Sequence, residues 1–153
     1  MQEVKENRYI AQMVKDNIAI VIIIFFVFAL SLPFLNKAYH IDDTAYLFVA
    51  DQIMKDPLRP YSFHFEWGTY SGPASYFMNT PLIPYYIALV SLLFGRTEVI
   101  LHLSFVIFPI IAGVSFYFIA KRFIEWPLMA TLIMISTPTF LVNSNNLMLD
   151  VPM

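Results

Sequence analysis

The chain has 153 residues, of which 59% are hydrophobic and only 13% charged, and its formal net charge is −2. A charged share about half that of soluble domains excludes intrinsic disorder, and the missing positive surplus excludes a basic nucleic-acid binder. With no Cys and 4 Gly, there is no disulfide framework, no thiolate chemistry and no Gly-rich phosphate loop.

The first 16 residues carry Lys5, Arg8 and Lys15, and then no charge occurs between Asp16 and Lys37, a gap of 20 residues. At 1.5 Å per residue such a stretch covers about 30 Å, the hydrocarbon thickness of a bilayer, so Ile18–Leu35 is predicted to be a transmembrane helix. A cleaved signal peptide is the rival reading. The apolar run is long for one, and no small-x-small site follows it.

Residues 36–98 hold 6 of the 11 acids and 4 of the 9 bases and form an extramembrane segment. Asp42 or Asp43 opens a helical pattern in which Tyr46, Val49, Ala50 and Ile53 make one apolar stripe, and Pro57 and Pro60 end it. Residues 43–55 are therefore predicted to be an amphipathic helix lying on the membrane surface. In 61–67 aromatic and polar residues alternate, so an extended strip would carry Tyr61, Phe63, Phe65 and Trp67 on one face. That face reads either as a wall packed on the membrane surface or as a stacking wall beside a site. Pro81–Phe94, 14 residues ended by Gly95, is too short for a span and reads as an interfacial helix.

Two further gaps, Val99–Ala120 and Trp126–Leu149, are long enough to cross. If Pro81–Phe94 does not cross, Lys121 and Arg122 share the cytoplasmic side with the basic N-terminus, which satisfies the positive-inside rule. The expected fold is thus all-α and integral to the membrane. It has three spans (18–35, 99–120, 127–147), amphipathic juxtamembrane helices near 43–55 and 81–94 in a large first outer loop, and residues 148–153 on the outer side. The expected location is a cell inner or plasma membrane, multi-pass, with a cytoplasmic N-terminus.

Asp42 and Asp43 are the most pointed candidates for chemistry. One reading is a helix cap, worth about 1 kcal/mol. The other is a carboxylate kept ionised by the helix dipole and acting as a base on an incoming hydroxyl. Asp150, after 24 uncharged residues, is either a span boundary or a second acid that meets Asp42 on the outer face. No cofactor is required by the pattern. A divalent cation on His40, Asp42, Asp43 and Asp150 is the one metal site that can be drawn, and nothing in the spacing demands it.

The order of His40-Ile41-Asp42-Asp43-Thr44-Ala45-Tyr46, Asn79-Thr80-Pro81-Leu82-Ile83-Pro84-Tyr85-Tyr86, Leu93-Phe94-Gly95 and Leu149-Asp150-Val151-Pro152 resembles the N-terminal part of GT-C superfamily glycosyltransferases. The nearest group is the protein O-mannosyltransferase and lipid A aminoarabinose transferase type. The resemblance implies an enzyme that moves a sugar, with inversion, from a polyprenyl-phosphate donor to a lipid, glycan or protein acceptor on the outer face. It implies catalytic roles for Asp42, Asp43 (where the family has Glu) and Asp150. Tyr46 matches the Tyr three residues after the acidic pair, and His102 stands where many members have an Arg. Arg59, Lys55 and Arg96 are the outer bases left to neutralise a leaving phosphate. Members of that family are much longer, so a fragment, inactive alone, is the expectation. A non-enzymatic membrane subunit in which Asp42 only caps a helix is the first rival. A transporter is the second, and it lacks ionisable residues deep in the spans.

Overall fold

The computed structural model describes residues 2–77 and 80–147. It is mostly helical, with α1 (Gln2–Ser31), α2 (Ile41–Lys55), α3 (Ala74–Phe77), α4 (Leu82–Phe94), α5 (Glu98–Phe105), α6 (Ile107–Ala120), α7 (Pro127–Ile135) and α8 (Pro138–Ser144). A short antiparallel hairpin, β1 (His64–Trp67) and β2 (Tyr70–Pro73), pairs Phe65 with Gly72 and Trp67 with Tyr70.

Two helical stretches, Lys5–Phe34 and Glu98–Ala120, are long and apolar enough to cross a membrane, and the bent pair α7–α8 makes a third if it acts as one span. The charge gaps located these stretches. Their boundaries differ. The first helix begins at Gln2 rather than Ile18, because nothing in residues 2–16 breaks a helix: there is no Pro or Gly there. Its 30 residues reach about 45 Å. The second stretch is interrupted between α5 and α6 at Val106, three residues before Pro109, whose missing N–H removes a rung of the ladder. The third bends by 64° at Ser136 and Thr137. Pro138 follows the bend, and the residue before a proline avoids helical geometry. Thr137 is extended there (φ −64°, ψ 139°). The hydroxyls of Ser136 and Thr137 donate to the carbonyls of Leu132 (2.7 Å) and Met134 (2.8 Å), so the break satisfies part of its own backbone.

One core joins α1, α6 and α7 through Ala19, Ile23, Val27, Tyr117 and Ile135. Gly113 sits where these helices meet. A Cβ there would stand 3.0 Å from both Ile23 Cγ2 and Ile135 Cδ1, so a small residue is what lets the three backbones approach. Tyr117 and Lys121, at the end of α6, bind Asp16 in α1: the Tyr117 hydroxyl donates at 2.8 Å and Lys121 forms an ion pair. Ile23 therefore packs near Gly113 while Asp16 binds Tyr117 and Lys121, so α1 and α6 run antiparallel.

The second core sits at the opposite end. Val49, Ala50 and Ile53 of α2 pack on Ile83, Ile87 and Ala88 of α4, with Leu101 and Phe105 of α5 beneath. The expected apolar stripe of α2 is present, but it is buried against α4 rather than laid on a membrane surface. Tyr46 belongs to the margin of this core. The chain is mostly helical, as expected, and departs from an all-α fold in one short hairpin. The 61–67 strip does alternate, with Phe65 buried and Ser62, His64 and Glu66 exposed, and it forms one arm of the hairpin. Gly68, at φ +58°, makes the turn that pairs it with β2. Its aromatic face packs on Ala45 of α2 and on Ala74.

Tyr39, just before α2, stacks on His102 in α5 at 6.0 Å. That contact brings the two ends of the 36–98 segment close together.

Candidate functional site

The first turn of α2 is held from two directions. The backbone N–H of His40, the N-cap, donates to Asp43 Oδ2 at 2.7 Å, and the Asp43 N–H donates to the His40 carbonyl at 3.0 Å. An acidic residue three positions into a helix that reaches back to the cap in this way secures the start of the helix. The other oxygen, Asp43 Oδ1, accepts from the N–H of Leu147 at 2.7 Å, a residue 104 positions later. Asp43 is 0% exposed and Leu147 is 0% exposed. A buried carboxylate with a backbone donor on each oxygen is a strong fastening, because such bonds to a charged group are about twice as strong as neutral ones.

Asp42, its neighbour, is exposed. The two acids that look equivalent in sequence thus divide. Asp43 clasps the turn at 145–147 to α2, and Asp42 faces solvent in the first turn of that helix.

Lys37 completes the clasp. Its ammonium donates to the Asn145 carbonyl at 3.4 Å and also binds Asn146 Oδ1. Sequence reasoning passed over Lys37 and treated it only as the charge that closes the first gap. The signal was its position five residues before Asp42, together with the polar run Asn143-Ser144-Asn145-Asn146 ending the last apolar stretch. Lys37 is the base nearest this turn along the chain. Arg59 is not: it follows the C-terminal end of α2, and a helix of 15 residues separates its ends by about 22 Å. Arg59 is exposed and engages its neighbours through its backbone. Lys55 shares that far end, and Arg96 forms an ion pair with Asp51, two turns along α2.

His102 is 5% exposed. Its Nδ1 lies 2.9 Å from the Glu98 carbonyl, which only accepts, so Nδ1 carries the hydrogen and donates. Nε2 is buried and has no partner among the described residues, and the same holds for the Tyr39 hydroxyl. Burial holds the Tyr39 phenol above its usual value. The Glu98 carboxylate adds to this, Arg96 opposes it, and Asp43 adds a smaller upward push. Tyr39 is therefore within electrostatic reach of Glu98, Arg96 and Asp43 at once. Tyr46 is partly buried one turn after Asp43 and close enough to Tyr61 to raise its phenol, an effect secondary to burial.

Beside this turn lies an open cleft of about 530 Å³ lined by Tyr39, Thr44, Trp67 and Gly68. Asp150 lies outside the described residues. Among the described residues, no three His, Asp or Glu side chains gather as a metal would require. The His40, Asp42 and Asp43 part of the drawn cation site is divided by the burial of Asp43.

No family model, curated protein or solved structure matches this chain. The GT-C resemblance therefore rests on the quoted residues alone.

Proposed function

We propose that this chain belongs to a membrane glycosyltransferase that moves a sugar from a polyprenyl-phosphate donor to an acceptor hydroxyl on the outer face, with inversion. The observation that carries the reading is the hydrogen bond from Leu147 N–H to Asp43 Oδ1. It ties the exposed Asp42 turn to a segment three residues short of Asp150. In this reading the second outer acid joins the first at this turn. The closeness of the two ends of residues 36–98 supports one outer face for this segment, with the basic N-terminus and Lys121 and Arg122 cytoplasmic.

In this reading Asp42 takes the proton from the acceptor hydroxyl, and the acceptor oxygen attacks the anomeric carbon. The bond from that carbon to the phosphate oxygen breaks, and polyprenyl phosphate leaves. Lys37 is the cation best placed to meet the phosphate charge, because electrostatic stabilisation acts only where charge develops. Asp43 serves as a positioning residue. Asp150 orients the acceptor or a site cation.

The rival, a non-enzymatic membrane subunit, draws on the same clasp, since Asp43 alone accounts for a structural role of the acidic pair. Asp42→Asn separates the two. His40 and Asp43 hold the helix start, so the amide at position 42 leaves it intact and removes the base. Sugar transfer from a polyprenyl-phosphate hexose, measured in membranes containing the full-length protein with this substitution at unchanged abundance, is expected to fall at least about a hundredfold, the usual span of general-base catalysis. Unchanged transfer, or function without any transfer, rejects the enzyme in favour of the subunit.

A further inference from the structure

The end of the bundle where Asp16 meets Tyr117 and Lys121 holds an open cleft of about 370 Å³ that the transfer chemistry does not use. α1 contributes Lys15 and Ala19, one turn apart, and the start of α7 contributes Leu128 and Leu132, also one turn apart, preceded by Glu125 and Trp126. Further along the same two helices Ile23 and Ile135 meet at Gly113, so α1 and α7 run parallel and both enter the cleft from their charged ends. Its mouth carries the charges, and its depth is apolar: Ala19 is buried and Leu128 packs on the same core. The mouth is also a boundary in the sequence, because the first apolar gap begins after Asp16 and the third begins at Trp126. Lipid head groups meet spanning helices at such a level, and Trp is enriched there. On the same helices Ile18, Met129 and Ile133 are exposed, as lipid-facing residues are.

The charges at the mouth are not spent on each other. Asp16 is taken up by Lys121 and Tyr117. Among the described residues the only other ion pair is Arg96–Asp51, so Lys15 and Glu125, both exposed, present one cation and one anion to whatever fills the cleft. That pair selects a guest with a phosphate, an ammonium and a hydrocarbon tail. An anionic phospholipid would answer Lys15 and leave Glu125 opposed. A choline head group has no N–H to donate to Glu125. An ethanolamine head group answers both: its phosphate oxygens accept from the Lys15 ammonium, its own ammonium donates to the Glu125 carboxylate, and an acyl chain lies along Ala19, Leu128 and Leu132. We propose that the cleft between α1 and α7 binds one phosphatidylethanolamine molecule from the surrounding leaflet. The site is independent of the sugar-transfer reading and of the residues around Asp42.

The purified chain in detergent is given equal amounts of phosphatidylethanolamine, phosphatidylglycerol and phosphatidylcholine with the same acyl chains, and the lipids it retains are counted by native mass spectrometry. One phosphatidylethanolamine is expected to be retained about tenfold over each competitor, the size of one hydrogen bond to a charged group. Lys15→Gln is expected to lower its retention about tenfold, and Glu125→Gln to bring it level with phosphatidylcholine. Both side chains are exposed, so neither substitution touches the core, and unchanged helical circular dichroism checks this. Equal retention of the three lipids, or phosphatidylglycerol ahead of phosphatidylethanolamine, overturns the site. So does a Glu125→Gln protein that keeps the preference. A second measurement needs no change in the cleft. The chain has two tryptophans, so Trp67→Phe leaves Trp126, which lines the cleft, as the single indole. In phosphatidylcholine bilayers its emission is expected to be quenched by chain-brominated phosphatidylethanolamine in a response that saturates at low mole fraction. Quenching that only rises in proportion, as it does with brominated phosphatidylcholine, reports bulk lipid and overturns the site.

Discussion

Removing the Asp43 carboxylate isolates the clasp that holds the turn at 145–147 to α2. In Asp43→Ala, the Leu147 N–H is left without its acceptor in a place that excludes water, since Leu147 is 0% exposed. An unsatisfied buried donor costs about 1–3 kcal/mol. The His40 N–H loses its partner too, but His40 is exposed and water substitutes, so that end adds about 0.5–1 kcal/mol, the lower range for a lost cap. The sum is about 1.5–4 kcal/mol. Asp43→Asn is expected to lose about half of that, because the amide keeps one acceptor and turns its NH2 toward the other donor. Asp42→Ala, one residue away, gives up only its interaction with the helix dipole, about 0.3–1 kcal/mol. Thermal unfolding of the three variants in one detergent, followed by helical circular dichroism, tests the ranking. If Asp42→Ala destabilises as much as Asp43→Ala, the division of labour between the two acids is wrong.

Three further outcomes are expected. In a double-mutant cycle of Asp16→Asn and Lys121→Met, the half-buried pair is expected to show a coupling of about 1–2 kcal/mol in stability, and additivity would deny that it fastens α1 to α6. Gly68→Ala meets no steric obstacle but must hold φ +58°, so a loss of about 1 kcal/mol in hairpin stability is expected, read by proteolysis within 61–73; no loss would reject the positive-φ turn. Burial raises the Tyr39 and Tyr61 phenols, so the folded state holds their protons more tightly than the unfolded chain does. Their stabilisation is complete below about pH 10, the unfolded value, and fades as pH rises through the folded values. Tyr39→Phe is expected to flatten part of that alkaline decline in unfolding temperature, and an unchanged profile would assign the decline elsewhere.

The long apolar stretches, α2 and α4 were legible because charge gaps, a 3.6-residue stripe and flanking prolines are local signals, whereas the single turn α3 carries no such signal. The extent of α1 was less so: its first 16 residues carry charges and no breaker, so hydropathy marks where the apolar part starts and not where the helix does. The apolar stripe of α2 was read correctly and given the wrong partner. Val49, Ala50 and Ile53 would suit a lipid surface as well as they suit α4, and pattern alone does not say which. Asp42 and Asp43 could not be told apart because the distinction hangs on Leu147, 104 residues away. For the same reason Lys37 was invisible as a clasp residue. The hairpin half-escaped notice: the alternation in 61–67 is plain, but its partner strand Tyr70–Pro73 contains a Gly and a Pro and carries no strand signal of its own.

The bend between α7 and α8 bears on how far errors travel along the chain. In a straight helix, one inserted or deleted residue would turn everything beyond it by about 100° and slide it by about 1.5 Å. Such a change within α7 would swing Asn145, Asn146 and Leu147 away from Lys37 and Asp43. The break at Ser136 and Thr137 uncouples the two halves, and the hydroxyls that stitch it onto the preceding turn make no use of α8. A register change in α7, costly as it is against α1 and α6, is then absorbed at the break before it reaches the turn at 145–147. Change in α7 and constancy at the turn that meets α2 become separable, and length variation is expected to be tolerated better before Pro138 than after it.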